Sequence, residues 1–159
     1  MKPMKKGTLS TAAALAVLYA QPGVAQNQFD ANAIYFGGGL SANSWGSEDE
    51  LGWQVFGGYD TGVRLGQADL AIEAGYMRAG EVGRFDRKVD GIWANGVASL
   101  DIGPQWKAIG RLGLDFGDDD GPMLGAGVGY AVAPNAELRA EFVIRDNIDS
   151  LQLNYVYRP

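Results

Sequence analysis

The chain has 159 residues, of which 13 are basic and 19 are acidic, and it contains neither cysteine nor histidine. This length fits one ordinary domain. The lack of thiol and imidazole groups excludes disulfides, thiolate metal sites and nucleophiles activated by histidine. Collagen-like and disordered chains are excluded as well, because the 24 glycines follow no three-residue period and 47% of the residues are hydrophobic.

The first element along the chain is a secretory signal, predicted over residues 1–25. Three lysines within the first six residues precede an apolar stretch of about ten residues, and the small residues Gly23 and Ala25 suit cleavage after Ala25. The apolar stretch is shorter than the roughly 20 residues of a spanning helix, with an uncleaved membrane anchor as the alternative. Cleavage leaves 10 basic and 19 acidic residues, a net charge of −9. An acidic exported protein is not expected to bind nucleic acid, which needs clustered Lys and Arg.

Beyond a short lead at 26–32, apolar and polar residues alternate with period two, and no amphipathic helix of three turns is evident. The pattern predicts one all-β domain over residues 33–159. Eight strands are predicted, over 33–42, 51–60, 68–77, 91–100, 105–115, 123–132, 136–145 and 150–158. Each is close to the 9–11 residues that a tilted strand needs to cross a bilayer, and an even number allows closure into an antiparallel, up-and-down transmembrane barrel.

The predicted connections differ in length and polarity. The longer, polar ones are 43–50, 78–90, 115–122 and 146–149. Those at 101–104 and 133–135 are tight, and the one at 61–67 is somewhat longer. Such alternation is typical of outer-membrane barrels, which place the longer connections outside the cell.

Each strand has an apolar and a polar face, as "AELRAEFVIRD" (136–146) illustrates. Alternation also fits a soluble, lipocalin-like barrel with its apolar side inward, but three observations favour lipid outside. Aromatic residues of the apolar parity lie near strand ends, as interfacial girdles require: Trp53, Tyr59, Tyr76, Trp106, Tyr130 and Tyr157. The polar parity is rich in glycine, which suits a narrow lumen: Gly37, Gly39, Gly75, Gly113, Gly125, Gly127 and Gly129.

The third observation is the balanced charge of the polar parity. Its basic residues are Lys107, Arg111, Arg139, Arg145 and Arg158, and its acidic residues are Asp69, Glu73, Asp115, Glu137 and Glu141. Five charges of each sign could pair inside a closed tube, whereas Arg or Lys facing the bilayer midplane costs about 2–4 kcal/mol each. We therefore predict a lumen ion-pair network of Glu73, Lys107, Arg111, Asp115, Glu137, Arg139, Glu141 and Arg145.

Four segments carry a family resemblance: "GWQVFGGYDTG" (52–62), "LAIEAGYMRAGE" (70–81), "AELRAEFVIRD" (136–146) and "LQLNYVYRP" (151–159). They resemble the OmpA/OmpX-like family of small outer-membrane β-barrel proteins of Gram-negative bacteria. The resemblance covers residues 33–159 and implies an eight-stranded barrel with structural, adhesive or stress-resistance roles. It also implies an inward Arg and Glu network at Glu73, Arg111, Arg139 and Glu141. The family's terminal aromatic residue is replaced here by Pro159, and Tyr157 is the candidate substitute.

Two inward carboxylates, Glu73 and Glu141, raise the possibility of a glycosidase-like acid and base pair. Carboxylates beside inward arginines are more often structural ion pairs, and we favour that interpretation. The outer-membrane barrel enzymes that modify lipid A or cleave peptides rely on a catalytic histidine, which this chain lacks. The sequence therefore predicts no catalytic, cofactor-binding or metal site.

The connection at 78–90 is a candidate binding loop, because Arg84, Arg87 and Lys88 surround Phe85. A solvated cap of the barrel would have the same composition. The acidic stretches "SEDE" (47–50) and "DDDG" (118–121) could bind Ca²⁺ or Mg²⁺ shared with lipid phosphates, but solvated loop tips are favoured.

The sequence as a whole predicts a non-enzymatic, monomeric outer-membrane protein with a closed lumen and a structural or surface-interaction role. Its expected partners are outer-membrane lipid and lipopolysaccharide, the barrel-insertion machinery and a surface partner bound through residues 78–90. A small diffusion channel and a soluble periplasmic lipid-binding barrel are the alternatives.

Overall fold

The computed structural model describes residues 29–82, 87–117 and 120–159. The predicted signal at 1–25 lies outside these residues, as do residues 26–28 of the predicted lead. Among the residues described, no helix is long and apolar enough to span a bilayer.

A short 3-10 turn at Ala31–Ala33 leads into eight strands. They are β1 (Ile34–Trp45), β2 (Glu48–Leu65), β3 (Ala68–Val82), β4 (Arg87–Asp101), β5 (Trp106–Gly117), β6 (Gly121–Ala133), β7 (Ala136–Ile144) and β8 (Asp149–Tyr157). Each strand pairs antiparallel with the next, and β8 pairs with β1 from Ser44↔Asp149 to Phe36↔Tyr157. The predicted closed, eight-stranded antiparallel barrel is confirmed.

The barrel has two ends, which we call upper and lower. The upper end holds the connections 46–47, 83–86, 118–120 and 145–148; the lower end holds 66–67, 102–105 and 134–135 together with the start of β1 and the end of β8. The predicted contrast between long and tight connections is wrong, because most of 43–50 and 78–90 is strand. Backbone ladders continue into polar sequence, since pairing joins peptide groups whatever the side chains are. The observed strands therefore extend beyond the apolar pattern from which they were predicted.

Apolar side chains face outward on every strand. Leu138 and Phe142 on β7 are 39% and 49% exposed, whereas Arg139 and Glu141 on the same strand are 3% and 1% exposed. The other strands contribute exposed Phe36, Leu40, Val55, Ile72, Ile92, Leu112, Leu124, Leu151 and Leu153. A continuous apolar belt of this extent is a surface for lipid rather than for water. The alternative of a soluble barrel with its apolar side inward is therefore wrong.

Glycines on the inner face allow the lumen to be filled. A Cβ added at Gly127 would lie 2.7 Å from the Cα of Glu141, and one at Gly75 would lie 2.7 Å from the Trp93 ring. Larger residues there would displace the walls or the side chains between them. The lumen is thus packed like a protein core.

Candidate functional site

Five buried charged residues form one network across the lumen. Arg139 Nη1 on β7 lies 2.5 Å from Glu73 Oε1 on β3, and Arg139 Nε lies 2.5 Å from Glu137 Oε1. Arg111 Nη2 on β5 lies 2.5 Å from Glu141 Oε2 and 3.3 Å from Glu73 Oε2. None of the five is more than 4% exposed. Because β3 and β7 stand on opposite sides of the barrel, the Glu73–Arg139 pair crosses the lumen directly.

Tyr35 closes the lower side of this network. Its hydroxyl donates a hydrogen bond to Glu73 Oε1 at 2.8 Å, and its ring is completely buried. The guanidinium carbons of Arg158 and Arg139 lie 4.6 and 5.6 Å from the ring centroid, within cation–π range. Arg158 is 30% exposed and lies 3.5 Å from Asp60 Oδ2 and 3.9 Å from Glu137 Oε2. It therefore adds a positive charge at the lower, partly hydrated edge of the network.

Buried amides extend the network toward β2 and β8. The Gln54 amide donates to Gln152 Oε1 at 2.8 Å and to Asn154 Oδ1 at 2.7 Å. Asn154 in turn donates to Glu141 Oε1 at 3.5 Å. All three amide residues are at most 2% exposed. The polar lumen therefore joins strands on every side of the barrel.

An aromatic cluster fills the space beside the ions. The rings of Phe56 and Trp93 are 5.7 Å apart, and the Arg111 guanidinium carbon lies 5.8 Å from the Trp93 centroid. Met77 and Met123 are buried in the same core. Sequence reasoning missed Tyr35, Phe56 and Trp93 because aromatic residues were expected outside. Their parity was the available signal, since Phe56 shares it with Gln54 and Trp93 shares it with Asn95.

The structure corrects the predicted network at its edges. Lys107, the second residue of β5, lies at the lower mouth, where its ammonium is 4.0 Å from Asp101 and partly exposed. Asp69 likewise lies near the start of β3 and pairs with exposed Arg64 at 2.9 Å. Both have the inward parity but lie where water reaches, so neither needs a buried partner.

Asp115 and Arg145 form a separate ion pair at the upper end. Arg145 Nε lies 3.0 Å from Asp115 Oδ2, and both side chains are buried. Arg145 also donates to Ser150 Oγ at 2.8 Å. The predicted ion pairs therefore lie at two levels of the lumen.

Outward-facing aromatic residues form two groups on the barrel wall. Near the lower end are Tyr59, Trp106, Tyr130 and Tyr157; near the upper end are Trp53 and Tyr76. Trp106 and Tyr130 pack with centroids 4.8 Å apart, and Trp53 and Tyr76 with centroids 5.7 Å apart. The Tyr76 hydroxyl donates to Asp90 at 2.6 Å, and the Tyr130 hydroxyl donates to Gln105 at 3.0 Å. Tyr76 and Tyr130 thus each present an apolar ring to the belt and a hydrogen-bonded hydroxyl toward one end of the barrel.

The candidate binding residues at the upper end are described only in part. Arg84 and Phe85 lie outside the described residues. Arg87 and Lys88 belong to β4, where their backbones pair with Val82 and Glu81. The predicted loop at 78–90 is thus mostly a two-stranded extension of β3 and β4.

Of the two acidic stretches at this end, 118–121 lies partly outside the described residues, which do not include 118 and 119. Asp49 accepts a hydrogen bond from Ser44 at 2.7 Å. Within the described part of the chain, no three acidic side chains are grouped as a metal ion would require.

Comparison with known proteins identifies the family. The model of the outer membrane protein beta-barrel domain matches residues 10–158. The chain belongs to this family. As a member of the outer membrane protein beta-barrel domain family, it is an outer-membrane protein, and its apolar belt is the surface that meets lipid.

Solved structures share the fold at low sequence identity. Neisserial surface protein A is 19% identical with a TM-score of 0.55, over 80% of this chain and 97% of that one. Ail, the attachment invasion locus protein of Yersinia pestis, is 14% identical with a TM-score of 0.52, over 78% and 95%. A de novo designed transmembrane β-barrel is 16% identical with a TM-score of 0.58, over 79% and 94%. No curated protein matches the sequence.

These likenesses establish the fold alone, because a fold carries no particular function by itself. The designed barrel illustrates the point, since its architecture was chosen rather than inherited. The role of this member of the outer membrane protein beta-barrel domain family therefore depends on the residues in its lumen and at the two ends of its barrel.

Proposed function

We propose that the chain is a non-enzymatic protein of a Gram-negative outer membrane that acts at the cell surface and has a closed lumen. The observation that carries the closed lumen is the Glu73–Arg139 contact between opposite walls. Eight strands leave an interior just wide enough for side chains, and here those side chains are paired and packed. An ion would have to break buried salt bridges to pass.

The surface role is supported by the upper end. We place this end outside the cell, because the two-stranded extension of β3 and β4 lies here and outer-membrane barrels have their longer loops outside. The segments 43–50, 78–90, 115–122 and 145–149 hold five basic and twelve acidic residues, so most of the mature net charge lies here. The names of two similar structures, a surface protein and an attachment protein, support a role in contact with other surfaces.

Catalysis by the inward carboxylates is disfavoured by their partners. Glu73 and Glu141 both contact Arg111, and both are at most 1% exposed. A general acid or base needs access to substrate and water, whereas these carboxylates are salt-bridge partners inside a packed core. The structural interpretation of the pair follows.

The channel alternative is tested by conductance. Purified protein, prepared from a porin-deficient strain, is added to planar bilayers. We expect no discrete conductance steps above those of a mock preparation. Reproducible steps whose number scales with the amount of protein would overturn the closed lumen.

The surface role is tested by adhesion. Bacteria displaying the chain are compared with bacteria displaying a variant whose extension 79–90 is replaced by a two-residue turn. We expect the parent to increase attachment to cultured epithelial cells and the shortened variant to lose the increase. Val63→Ser at the lower end is the control, because it leaves the upper end unchanged. The proposal would be contradicted if bacteria displaying the parent attached no better than bacteria displaying the shortened variant or bacteria without the protein.

A further inference from the structure

A hydrogen-bonded chain crosses the upper mouth of the barrel. It runs from the Asp115–Arg145 ion pair to Ser150, which accepts from Arg145 and donates to Asn43 Oδ1 at 2.6 Å. Asn43 Nδ2 then donates to the backbone carbonyl of Ala79 at 2.9 Å. Asn43 and Ser150 are at most 3% exposed. Side chains from β5, β8 and β1 therefore converge on one peptide group of β3.

Asn43 reaches Ala79 by passing over β2. Gly52 lies between them, and a Cβ there would stand 2.6 Å from Asn43 Nδ2 and 2.8 Å from Ser41 Oγ. Asn43 Nδ2 also donates to Ser41 at 3.0 Å. A side chain at position 52 would block this path, so the glycine permits the long-range contact.

The carbonyl that Asn43 holds belongs to a β-bulge. The register between β3 and β4 shifts between Arg78 and Gly80, which leaves Ala79 without a partner in the ladder. Gly80 has φ +106°, a conformation that other residues rarely adopt. Bulges of this kind bend a strand and set the direction in which it continues.

The bulge also lies where the regular ladder between β2 and β3 stops, although Gly80 still lies beside Glu50 and Leu51 of β2. Pairing of β2 with β3 ends at Trp53↔Arg78, and pairing of β4 with β5 ends at Gly91↔Gly117. Beyond these points the strands pair with each other, through Glu81↔Lys88 and Val82↔Arg87. We call this two-stranded extension, residues 79–82 and 87–90, the upper ribbon.

We propose that Asn43 is a positioning residue that fixes the exit direction of the upper ribbon by holding the Ala79 carbonyl. The lumen thereby determines how a surface element is presented. The inference rests on the proposed surface role for its biological purpose, but the geometry it predicts is measured without any binding partner.

The test measures the ribbon directly. The chain has no cysteine, so spin labels can be placed at Ser47→Cys and Val82→Cys alone, and their distance distribution measured in bilayers. We expect one narrow distribution in the parent and a broader or shifted one with Asn43→Ala. Val156→Ala is the matched control, because Val156 is fully buried but lies near the lower end, where it pairs with Gly37. An unchanged distribution with Asn43→Ala, or an equal change with Val156→Ala, would overturn the proposal.

Two further variants and a second measurement test the proposal if Asn43→Ala does not fold. Gly80→Ala strains the bulge from outside the network, and Ser150→Ala removes the hydrogen bond that orients Asn43. Trypsin cleavage at Arg84, Arg87 or Lys88 in the folded barrel should become about fivefold faster, the equivalent of about 1 kcal/mol for one hydrogen bond. Unchanged cleavage and unchanged distances in both variants would also overturn the proposal. If the variants change the cleavage rate and the distances but the parent does not increase attachment, the surface role is contradicted and the role of Asn43 is not.

Discussion

Glu73 on β3 and Arg139 on β7 are in direct contact across the barrel, although 66 residues separate them in the chain. Opposite walls of the lumen are thus joined by one ion pair. β3 and β7 share no ladder, so the pair forms only when the sheet curls round and brings these two walls face to face. We infer that the central network stabilises the closed barrel rather than any single hairpin.

Removing the Glu73 charge should be costly. Glu73→Gln leaves Arg139 and Arg111 with fewer carboxylate partners in a buried site, so we expect a loss of about 3 kcal/mol in the free energy of unfolding. Urea titration in detergent micelles or lipid vesicles measures this value. Asp69→Asn is the matched control on the same strand, where the exposed pair with Arg64 should contribute at most about 0.5 kcal/mol. Equal effects of the two substitutions would contradict a central role for the network.

Two glycines should differ sharply when changed to alanine. Gly127→Ala places a methyl group against the Ala140 carbonyl and Glu141, and overpacking of this kind costs about 1–3 kcal/mol. Gly110 has nothing within 4 Å of an added Cβ, so Gly110→Ala should be neutral or stabilise by about 0.4–1 kcal/mol. The free energy of unfolding of each variant is measured by following the loss of the heat-modifiable gel shift. Destabilisation by both variants would show that inner packing does not explain the glycines.

The lower aromatic pair should act as a unit. Trp106 and Tyr130 are directly paired neighbours whose rings touch, so a double-mutant cycle to alanine should give a coupling energy of about 0.5–1.5 kcal/mol. The upper residue Trp53 provides the control, because it lies too far from Tyr130 to interact and should show additive effects. Coupling indistinguishable from zero in the first cycle would mean that the two rings act independently in lipid.

The sequence predicted the barrel well because closure depends on a simple pattern. Period-two alternation, eight segments and a clean apolar face specify both the sheet and its orientation, and Leu138 beside Arg139 shows the alternation plainly. Inward carboxylates and arginines such as Glu141 and Arg111 followed from the same parity. Their grouping into networks at two levels did not, since it depends on the strand register, which parity leaves undetermined.

Other features could not be read from alternation. Lys107 has inward parity but lies at a mouth, and position along a strand only becomes clear when the ends of the neighbouring strands are known. Tyr35 and Trp93 were missed because an aromatic residue fits either the lipid face or a narrow core. The bulge at Ala79 leaves no mark in composition beyond Gly80, although it determines where the upper ribbon begins.

Orientation of the two faces in lipid is the central claim, and collision of single spin labels with oxygen and with a water-soluble nickel chelate tests it most directly. Labels at Leu151→Cys and Leu153→Cys on β8, in bilayers, should collide often with oxygen and rarely with the chelate, while a label at Gln152→Cys should be shielded from the chelate and collide less with oxygen. Frequent chelate collisions at Leu151 and Leu153 with low oxygen exposure would place the apolar wall in water and contradict the account.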